Sequence, residues 1–306
     1  MSASREQPGG GPGSAGRPPA PRAAPRTVAE MRVMAREFLE RQGIEGAQRD
    51  ADLLLAHAFG IDRLRLLMRL EGPVEEGERD RARELLVRRG KREPVAYLTG
   101  EREFYGRGFA VGRGCLVPRP ETELLVDLSR DEARQRTLGR IADVGTGSGA
   151  LAVTLALEVR GAAVEAVDLE EEALAYARRN AEALGASVEF ALGDGLEWLE
   201  ARGPFDLVVS NPPYIDPAVA AQLAPEVREW EPAAALFSPA GDRDLWVREL
   251  CVRASGGALA PGGLLLVELG FDQGPAALEA ARAAGLEARL AQDLEGIDRV
   301  LAARRA

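Results

Sequence analysis

The chain has 306 residues, 46% of them hydrophobic and 29% charged, which is typical of a soluble globular protein with one large and one smaller domain. No apolar run approaches the roughly 20 residues of a membrane-spanning helix, and the first residues lack an apolar secretory segment, so the sequence predicts a cytoplasmic protein. The net charge of −10 argues against a nucleic-acid backbone as the main partner.

Metal and triad chemistry find little support in the sequence. The two cysteines, Cys115 and Cys251, lie far apart and outside any metal-ligand spacing, which is typical of incidental thiols in a reducing compartment. The single histidine, His57, lies in an apolar helical segment, where we expect it to be structural. The sequence therefore argues against a zinc site and against a Ser-His-Asp triad, and we predict no metal.

The N-terminal third divides into a tail and a helical domain. Residues 1–26 carry four Arg and one Glu among Pro, Gly, Ala and Ser, and we predict a disordered tail. Residues 27–92 are nearly neutral and predict a small helical bundle. Its signals are a capping box of Thr27 and Glu30, a second helix stopping near Gly60, a third capped by Asp62, and a fourth over 75–89 closed by Gly90.

Residues 93–118 predict a β-hairpin linker. Pro94 ends the helical region, and Glu103-Phe104-Tyr105 and Phe109-Ala110-Val111 flank the turn Gly106-Arg107-Gly108. The linker leads into Pro118-Arg119-Pro120-Glu121-Thr122-Glu123.

Residues 119–306 alternate between strand-like and helix-like segments. The predicted strands are 140–144, 163–167, 187–192, 205–210, 263–269, 286–291 and 298–303, and the predicted helices are 150–160, 170–184 and 275–284. This alternation predicts an α/β fold with a mostly parallel, doubly wound sheet.

A glycine-rich turn, Asp143-Val144-Gly145-Thr146-Gly147-Ser148-Gly149, lies between a predicted strand and a predicted helix. Closely spaced glycines let the backbone bend sharply and let a ligand approach it. The spacing differs from the dinucleotide fingerprint Gly-x-Gly-x-x-Gly, and a plain tight turn is the alternative. We predict that Gly145, Thr146, Gly147, Ser148 and Gly149 bind a cofactor.

Acidic residues follow the next two predicted strands. Asp168 lies about 20 residues past the glycines, where a carboxylate can accept both ribose hydroxyls of a nucleoside. Asp194, followed by Gly195, can accept from an adenine amino group. The alternatives are a helix cap for Asp168 and an ordinary polar loop for Asp194. With the glycine turn, these residues predict an adenosine-containing cofactor.

The strand at 205–210 ends at Asn211-Pro212-Pro213-Tyr214. The prolines stiffen a loop at the carboxyl end of a strand, where open α/β sheets bind ligands. The side-chain oxygen of Asn211 and the carbonyl of Pro212 can accept both hydrogens of a planar –NH2 group, and Tyr214 can cover its flat face. The alternative is a proline-stiffened loop with a buried tyrosine.

This arrangement suits methyl transfer to an amino nitrogen. Two accepted hydrogen bonds would orient a nitrogen whose lone pair is delocalised and would favour its developing positive charge in line with a methyl sulfonium. We predict that Asn211, Pro212 and Tyr214 are catalytic, that Asn211, Pro212, Pro213 and Tyr214 bind the substrate, and that Asn211 also contacts the cofactor.

Six segments carry a resemblance to a known family. They are Glu93-Pro94-Val95-Ala96-Tyr97-Leu98-Thr99-Gly100, Glu103-Phe104-Tyr105-Gly106, Pro118-Arg119-Pro120-Glu121-Thr122-Glu123, Asp143 to Gly149, Asn211-Pro212-Pro213-Tyr214-Ile215 and Glu231-Pro232. Over nearly all of residues 27–306 the chain resembles the HemK/PrmC family, the peptide chain release factor glutamine N5-methyltransferases.

The resemblance implies a helical substrate-recognition domain over 27–92, a hairpin linker over 93–118 and a Rossmann-like, seven-stranded methyltransferase domain over 119–306 whose last strand is antiparallel. It implies S-adenosyl-L-methionine as methyl donor and the glutamine of the Gly-Gly-Gln motif in class 1 release factors as acceptor, in support of translation termination. We expect a monomer that does not bind nucleic acid or membranes directly.

Two departures from the family pattern concern neighbouring loops. Gly195 stands where some members place an aromatic residue beside the adenine, and we expect Leu196 or Trp198 to fill that space. Gly241-Asp242-Arg243-Asp244-Leu245 replaces the usual Asp-Gly-Leu.

Three other functions deserve comparison. A DNA or RNA amino-methyltransferase would use the same loop on adenine or cytosine, but it needs a target-recognition domain and a basic cleft. A non-catalytic binding module would not need the Asn211 loop. An NAD oxidoreductase would have a different glycine spacing and would not account for the Pro-Pro-Tyr sequence.

Overall fold

The computed structural model describes residues 25–239 and 241–306, so the predicted tail at 1–26 lies outside the described residues except for Pro25 and Arg26. The N-terminal elements are α1 (Val28–Arg41), α2 (Ala47–Phe59), α3 (Arg63–Met68), α4 (Glu76–Gly90) and α5 (Val95–Thr99), followed by the hairpin strands β1 (Glu101–Phe104) and β2 (Arg107–Ala110). Within the described ranges, no helix combines the length and apolar character needed to cross a bilayer.

The helical domain forms where the sequence predicts it, with two local differences. Thr27 accepts from the backbone N–H of Glu30 at 3.2 Å, but the Glu30 carboxylate accepts from the N–H of Arg26, at 2.7 Å, rather than from that of Thr27. The prediction that Gly90 closes α4 is wrong, because α4 includes Gly90 and its C-cap is Lys91. A Cβ at Gly90 would lie 3.1 Å from the Phe38 ring, so this glycine allows α1 and α4 to approach closely.

The predicted hairpin is confirmed, but the prediction of a turn at Gly106-Arg107-Gly108 is wrong, because Arg107 and Gly108 belong to β2. The chain turns at Tyr105 and Gly106. Both residues have positive φ, 51° and 71°, which matches a two-residue turn whose twist fits the flanking strands. The backbone N–H of Tyr105 donates to Glu123 at 2.8 Å, which holds this non-glycine residue in a left-handed conformation. The linker also contains α5, which the sequence analysis did not predict.

The C-terminal part contains a seven-stranded sheet with helices on both faces. Its strands are β3 (Arg140–Val144), β4 (Ala163–Asp168), β5 (Val188–Leu192), β6 (Phe205–Ser210), β7 (Leu259–Glu268), β8 (Glu287–Gln292) and β9 (Asp298–Arg304). Its helices are α6 (Glu123–Gln135), α7 (Ala150–Glu158), α8 (Glu171–Leu184), α9 (Gly195–Arg202), α10 (Pro225–Arg228), α11 (Ala233–Leu236), α12 (Leu245–Arg253) and α13 (Gly274–Ala283).

The strand order is β5-β4-β3-β6-β7-β9-β8, and only β9 runs antiparallel to its neighbours β7 and β8. The α/β fold class and the antiparallel last strand are therefore confirmed. Successive residues of β6 face opposite sides, because Leu207 and Val209 join one apolar cluster and Val208 joins the other. Two cores on the two faces bury the sheet, and its carboxyl edge is left for a ligand.

The histidine and the two cysteines differ in their exposure, and Cys115 lies on the wall of the cavity at the carboxyl edge of the sheet. His57 is exposed on α2, whereas both cysteines are buried. Burial raises the pKa of Cys115 to about 11 and that of Cys251 to about 12, so both thiols stay protonated at neutral pH.

Candidate active site

A cavity of about 1210 Å³, including its open mouth, lies at the carboxyl ends of β3, β4 and β6. The chain leaves β3 for β4 on one side and reaches β6 on the other, so the cavity lies where an open α/β sheet binds its ligand. Most of the predicted site residues line it together: Gly145, Thr146, Gly147, Ser148, Asp168, Gly195, Asn211, Pro212 and Pro213. Among the described lining residues, Gly149, Asp194 and Tyr214 do not occur.

The glycine turn needs its glycines for two different reasons. Gly145, Gly147 and Gly149 have φ values of 77°, 56° and 78°, which side chains rarely adopt. No atom lies within 4 Å of a Cβ built at Gly145 or Gly147, so a ligand can reach the backbone there. At Gly149 a Cβ would lie 2.9 Å from Ala177, so this glycine lets the turn pack against α8.

Asn180 connects the glycine turn to the hairpin. Its side-chain N–H2 group donates to the carbonyls of Ser148 at 2.8 Å and Ala110 at 3.0 Å. Its side-chain oxygen accepts from the N–H of Ala110 at 2.7 Å. This residue of α8, which is nearly fully buried, was not singled out from the sequence, because nothing local in the sequence links it to either partner.

Asp168 lines the cavity and also supports the glycine turn. Its carboxylate accepts from the backbone N–H of Gly147 at 2.7 Å and from that of Glu170 at 3.0 Å. The N-cap of α8 is Glu170, so the alternative of Asp168 as that helix cap does not hold. The Asp168 carboxylate therefore holds the glycine turn in place and, from the cavity wall, is also available to a ligand.

Asp143 is a fully buried carboxyl beneath the turn. It accepts from the hydroxyl of Thr146 at 2.7 Å and from the N–H of Ala152 at 3.1 Å. Burial, together with the nearby charge of Asp168, raises the pKa of Asp143 to about 7. Asp143 lies in the sequence motif of the turn, but the motif predicts no role for its side chain.

The loop after β5 differs from the expectation. Asp194 accepts from the N–H groups of Leu196 at 2.9 Å and Glu197 at 3.0 Å, so it is the N-cap of α9 and is not on the cavity wall. At Gly195 a Cβ would lie 2.6 Å from Cγ1 of Val144, which explains why this chain has no side chain there.

The expectation that Leu196 or Trp198 fills the space beside Gly195 is wrong. Leu196 packs against the apolar cluster on that face of the sheet, and Trp198 stacks on Phe205 with ring centroids 5.6 Å apart. The apolar residues on the cavity wall include Leu169 and Trp246 instead. Within the described ranges, the buried indole nitrogen of Trp246 has no hydrogen-bond partner. No motif in the sequence pointed to this residue.

Two consecutive hydrogen bonds connect the Asn211 loop to buried side chains behind it. The side-chain nitrogen of Asn211 donates to the hydroxyl of Thr122 at 3.1 Å, and that hydroxyl lies 2.6 Å from Oε2 of Glu268. Burial raises the pKa of Glu268 to about 7. Neither Thr122 nor Glu268 was predicted as a site residue, although Thr122 lies in a segment that carries the family resemblance.

Tyr214 does not lie over the cavity as expected. Its hydroxyl lies 3.5 Å from Oε1 of Glu268, at the limit of a hydrogen bond, and its ring lies 3.3 Å from where a Cβ at Gly270 would be. Burial raises the pKa of Tyr214, so the phenol stays neutral. The ring therefore supports the loop from behind.

Glu231 joins the linker to the part of the cavity wall that contains Pro232. Its buried carboxylate accepts from Arg119 at 2.6 Å and from the N–H of Val117 at 3.0 Å. The next residue, Pro232, lines the cavity. The Glu-Pro pair noted in the sequence thus anchors one wall.

Known proteins match this chain along most of its length. The family model for the PrmC N-terminal domain matches residues 30–100, and that for the methyltransferase small domain matches residues 121–229. A release factor glutamine methyltransferase of Deinococcus radiodurans is 41% identical over 277 residues, which is 90% of this chain and 98% of that protein. One of Cereibacter sphaeroides is 44% identical over 269 residues, which is 87% of this chain and 94% of that protein.

The chain belongs to the release factor glutamine methyltransferase family. The resemblance drawn from the sequence motifs is therefore confirmed. Among solved structures, the hMettl16 catalytic domain in complex with a MAT2A 3′UTR hairpin shares the fold, with a TM-score of 0.53 and 18% identity over 69% of this chain and 80% of that chain.

The family match also bears on the domain boundaries. The match to the N-terminal family model continues to residue 100 and so includes α5. The boundaries at 92 and 118 stay predictions. The hairpin, β1 and β2, lies between the two matched regions, at 30–100 and 121–229.

Proposed function

We propose that the chain transfers the methyl group of S-adenosyl-L-methionine to the side-chain nitrogen of the Gly-Gly-Gln glutamine in class 1 release factors. We further propose that it acts in the cytoplasm as a monomer, without a metal, and so supports translation termination. The observation that carries this proposal is the meeting of Gly147, Asp168 and Asn211 on one cavity wall, in a chain whose relatives are named release factor glutamine methyltransferases.

The residues on the cavity wall fit the donor. The open backbone at Gly145 and Gly147 leaves space for a ligand, and the Asp168 carboxylate can accept from ribose hydroxyls. Leu169 and Trp246 offer apolar surface for a purine. We propose that Gly145 to Gly149 and Asp168 hold the donor and that Gly195 leaves room for its base. Asp194 would act through the loop that it caps.

Asn211 and Pro212 would position the acceptor nitrogen. The side-chain oxygen of Asn211 and the carbonyl of Pro212 accept the two hydrogens of the glutamine –NH2 group and fix its plane. When bound, S-adenosyl-L-methionine supplies an electrophilic methyl group on a sulfonium. The two acceptors also stabilise the positive charge that develops on the nitrogen as it attacks, and the proton leaves afterwards.

Pro213 and Tyr214 would support this geometry. Pro213 lines the cavity and restricts the loop backbone, while Tyr214 packs behind the loop at Gly270. Tyr214 would thus brace the loop from behind instead of covering the amide. We propose that its catalytic contribution is this bracing.

An amino group of adenine or cytosine presents the same two hydrogens, so the loop chemistry by itself does not select a protein. The names of the relatives and the net charge of −10 favour the release factor over a nucleic acid.

Mass spectrometry of the acceptor tests the proposal. A class 1 release factor is incubated with the chain and S-adenosyl-L-methionine, and peptide fragmentation locates the added CH2 unit. We expect it on the glutamine of the Gly-Gly-Gln motif, and no addition when that glutamine is replaced by alanine. Label from methyl-tritiated donor on total nucleic acid but not on the release factor would contradict the proposal.

A further inference from the structure

Three side chains that are distant in sequence form a row of hydrogen bonds under the Asn211 loop. Thr122 precedes α6, Glu268 ends β7, and Asn211 follows β6. The Thr122 hydroxyl lies 2.6 Å from Oε2 of Glu268 and 3.1 Å from the side-chain nitrogen of Asn211. Thr122 and Glu268 are both buried, at 7% and 2% exposure. Such a chain of hydrogen bonds has a direction, because each hydroxyl has one proton to donate.

The ionised carboxylate fixes that direction. Glu268 can then only accept, so the single proton of Thr122 lies between the two oxygens. The Thr122 oxygen can therefore only accept from Asn211, which must turn its nitrogen toward Thr122. The reverse orientation would bring two acceptors together without a proton between them. Asn211 Oδ1 is thus left for a ligand in the cavity that Asn211 lines.

We propose that Thr122 and Glu268 are positioning residues that orient the Asn211 amide so that its oxygen, not its nitrogen, faces the substrate –NH2 group. This inference rests on the proposed function, in which that oxygen accepts from the glutamine. An amide turned the other way would present donors to donors and would repel the acceptor nitrogen. The pair therefore acts on methyl transfer through Asn211 and does not touch the reacting atoms.

The charges around Glu268 are consistent with this role. The pKa of Glu268 is also affected by the charges of Arg119, Arg299 and Glu121, none of which is hydrogen-bonded to it. The hydroxyl of Tyr214 is the other polar group near its carboxyl. Arg119 is held by Glu231 at 2.6 Å and Arg299 by Asp293 at 2.8 Å, so neither cation takes up the Glu268 carboxylate. The carboxylate remains engaged with Thr122. With a pKa of about 7, it is increasingly protonated at mildly acidic pH.

Protonation would remove the fixed direction. A protonated Glu268 can donate to Thr122, which frees the Thr122 proton to point at Asn211 Oδ1. Both orientations of the Asn211 amide then become accessible. The fraction of protein molecules in which Asn211 Oδ1 faces the cavity falls, and with it the fraction that can accept from the glutamine –NH2 group.

Three variants separate positioning from packing. Thr122→Val keeps the shape but removes the hydroxyl, Thr122→Ser keeps the hydroxyl, and Thr154→Val is a matched control at a buried threonine of α7. We expect Thr122→Val to lower kcat for release factor methylation about tenfold, with the donor Kd changed less than about twofold. Thr122→Ser and Thr154→Val should stay near the wild type. A Thr122→Val chain with at least half the wild-type kcat, or a Thr122→Ser chain as slow as Thr122→Val, would overturn the proposal.

A spectroscopic readout tests the orientation without turnover. The side-chain amide signals of Asn211 are assigned in a ¹⁵N–¹H correlation spectrum by their loss in Asn211→Ala. In the wild type they should titrate with a midpoint near pH 7, and in Thr122→Val they should be displaced and no longer titrate. Asn211 signals at the same position in Thr122→Val as in the wild type would overturn the positioning role even if the release factor is methylated. Titrating signals without methylation would instead count against the proposed function alone.

Discussion

Arg89, on the last turn of α4, donates to the carboxylate of Glu226 in α10 at 2.9 Å and so joins the helical domain to the methyltransferase domain. The same guanidinium donates to Asp50 of α2 at 2.8 Å and is 4% exposed. A buried arginine shared by two carboxylates fixes the relative position of three helices.

Replacing Arg89 tests this junction. Arg89→Met removes the guanidinium that the partly buried carboxylates of Asp50 and Glu226 share, and Arg92, 3.8 Å from Glu226, compensates only in part. We therefore expect a loss of about 1–3 kcal/mol in unfolding free energy, measured in urea. Methylation of intact release factor should fall, whereas the donor Kd should not change, because the donor residues lie in the other domain. Glu226→Gln, which keeps an acceptor for Arg89, is the milder control. Equal stability of Arg89→Met and the wild type would show that the ion pairs do not hold the domains together.

Asn211→Ala removes the proposed acceptor oxygen. We expect kcat to fall by about 10²–10³, the usual loss when one preorganised transition-state contact is removed, while donor binding by calorimetry is largely kept. Gln292→Ala, which removes a side-chain amide on β8 that donates to Asp298, should leave both quantities unaltered. Near-normal turnover in Asn211→Ala would remove Asn211 from the catalytic machinery.

Asp168→Ala should weaken donor binding. The variant loses both the carboxylate on the cavity wall and the acceptor that holds the N–H of Gly147, so we expect Kd to rise about tenfold or more. Asp62→Ala is the matched control, because Asp62 also accepts from a backbone N–H, at the start of α3. If calorimetry gives both variants the wild-type affinity, Asp168 does not bind the donor.

Gly195→Ala tests the contact with Val144. The added Cβ would lie 2.6 Å from Cγ1 of Val144, so we expect a loss of about 1–3 kcal/mol in unfolding free energy together with weaker donor binding. Val144→Ala in the same chain should recover part of both losses, because it removes the atom in conflict. A double variant no better than Gly195→Ala would mean that the damage arises elsewhere.

The raised pKa of Asp143 predicts a pH dependence of stability. In the folded chain its pKa is about 7, against an ordinary value of 3.8, so the folded state keeps a proton that the unfolded state releases. The resulting stabilisation is complete below the ordinary value and is lost as pH rises to about 7. Between about pH 5 and pH 7 the wild type should therefore lose about 2 kcal/mol relative to Asp143→Asn. Parallel stability curves for the two chains would contradict the shift.

Features set by neighbouring residues could be predicted from the sequence. The glycine turn before α7 forms as predicted, and the predicted hairpin forms with its turn at Tyr105-Gly106 instead of Gly106-Arg107-Gly108. Both turns depend mainly on the backbone angles of the residues within them. The alternation of strands and helices was likewise enough for the α/β fold class.

Features set by distant contacts could not be predicted. Gly90 was taken as a helix end because its contact with Phe38 of α1 cannot be seen locally. Trp198 was expected beside the donor, yet its stacking on Phe205 depends on how α9 packs on the sheet. Thr122 and Glu268 were missed for the same reason, since 146 residues separate them along the chain.

The three hydrogen bonds of Asn180 make the hairpin and the glycine turn one mechanical unit. A release factor bound to the hairpin could not displace it without either moving Ser148 or breaking those hydrogen bonds. The side-chain amide of Asn180 would therefore transmit a displacement of the hairpin to the glycine turn, where we propose that the donor binds.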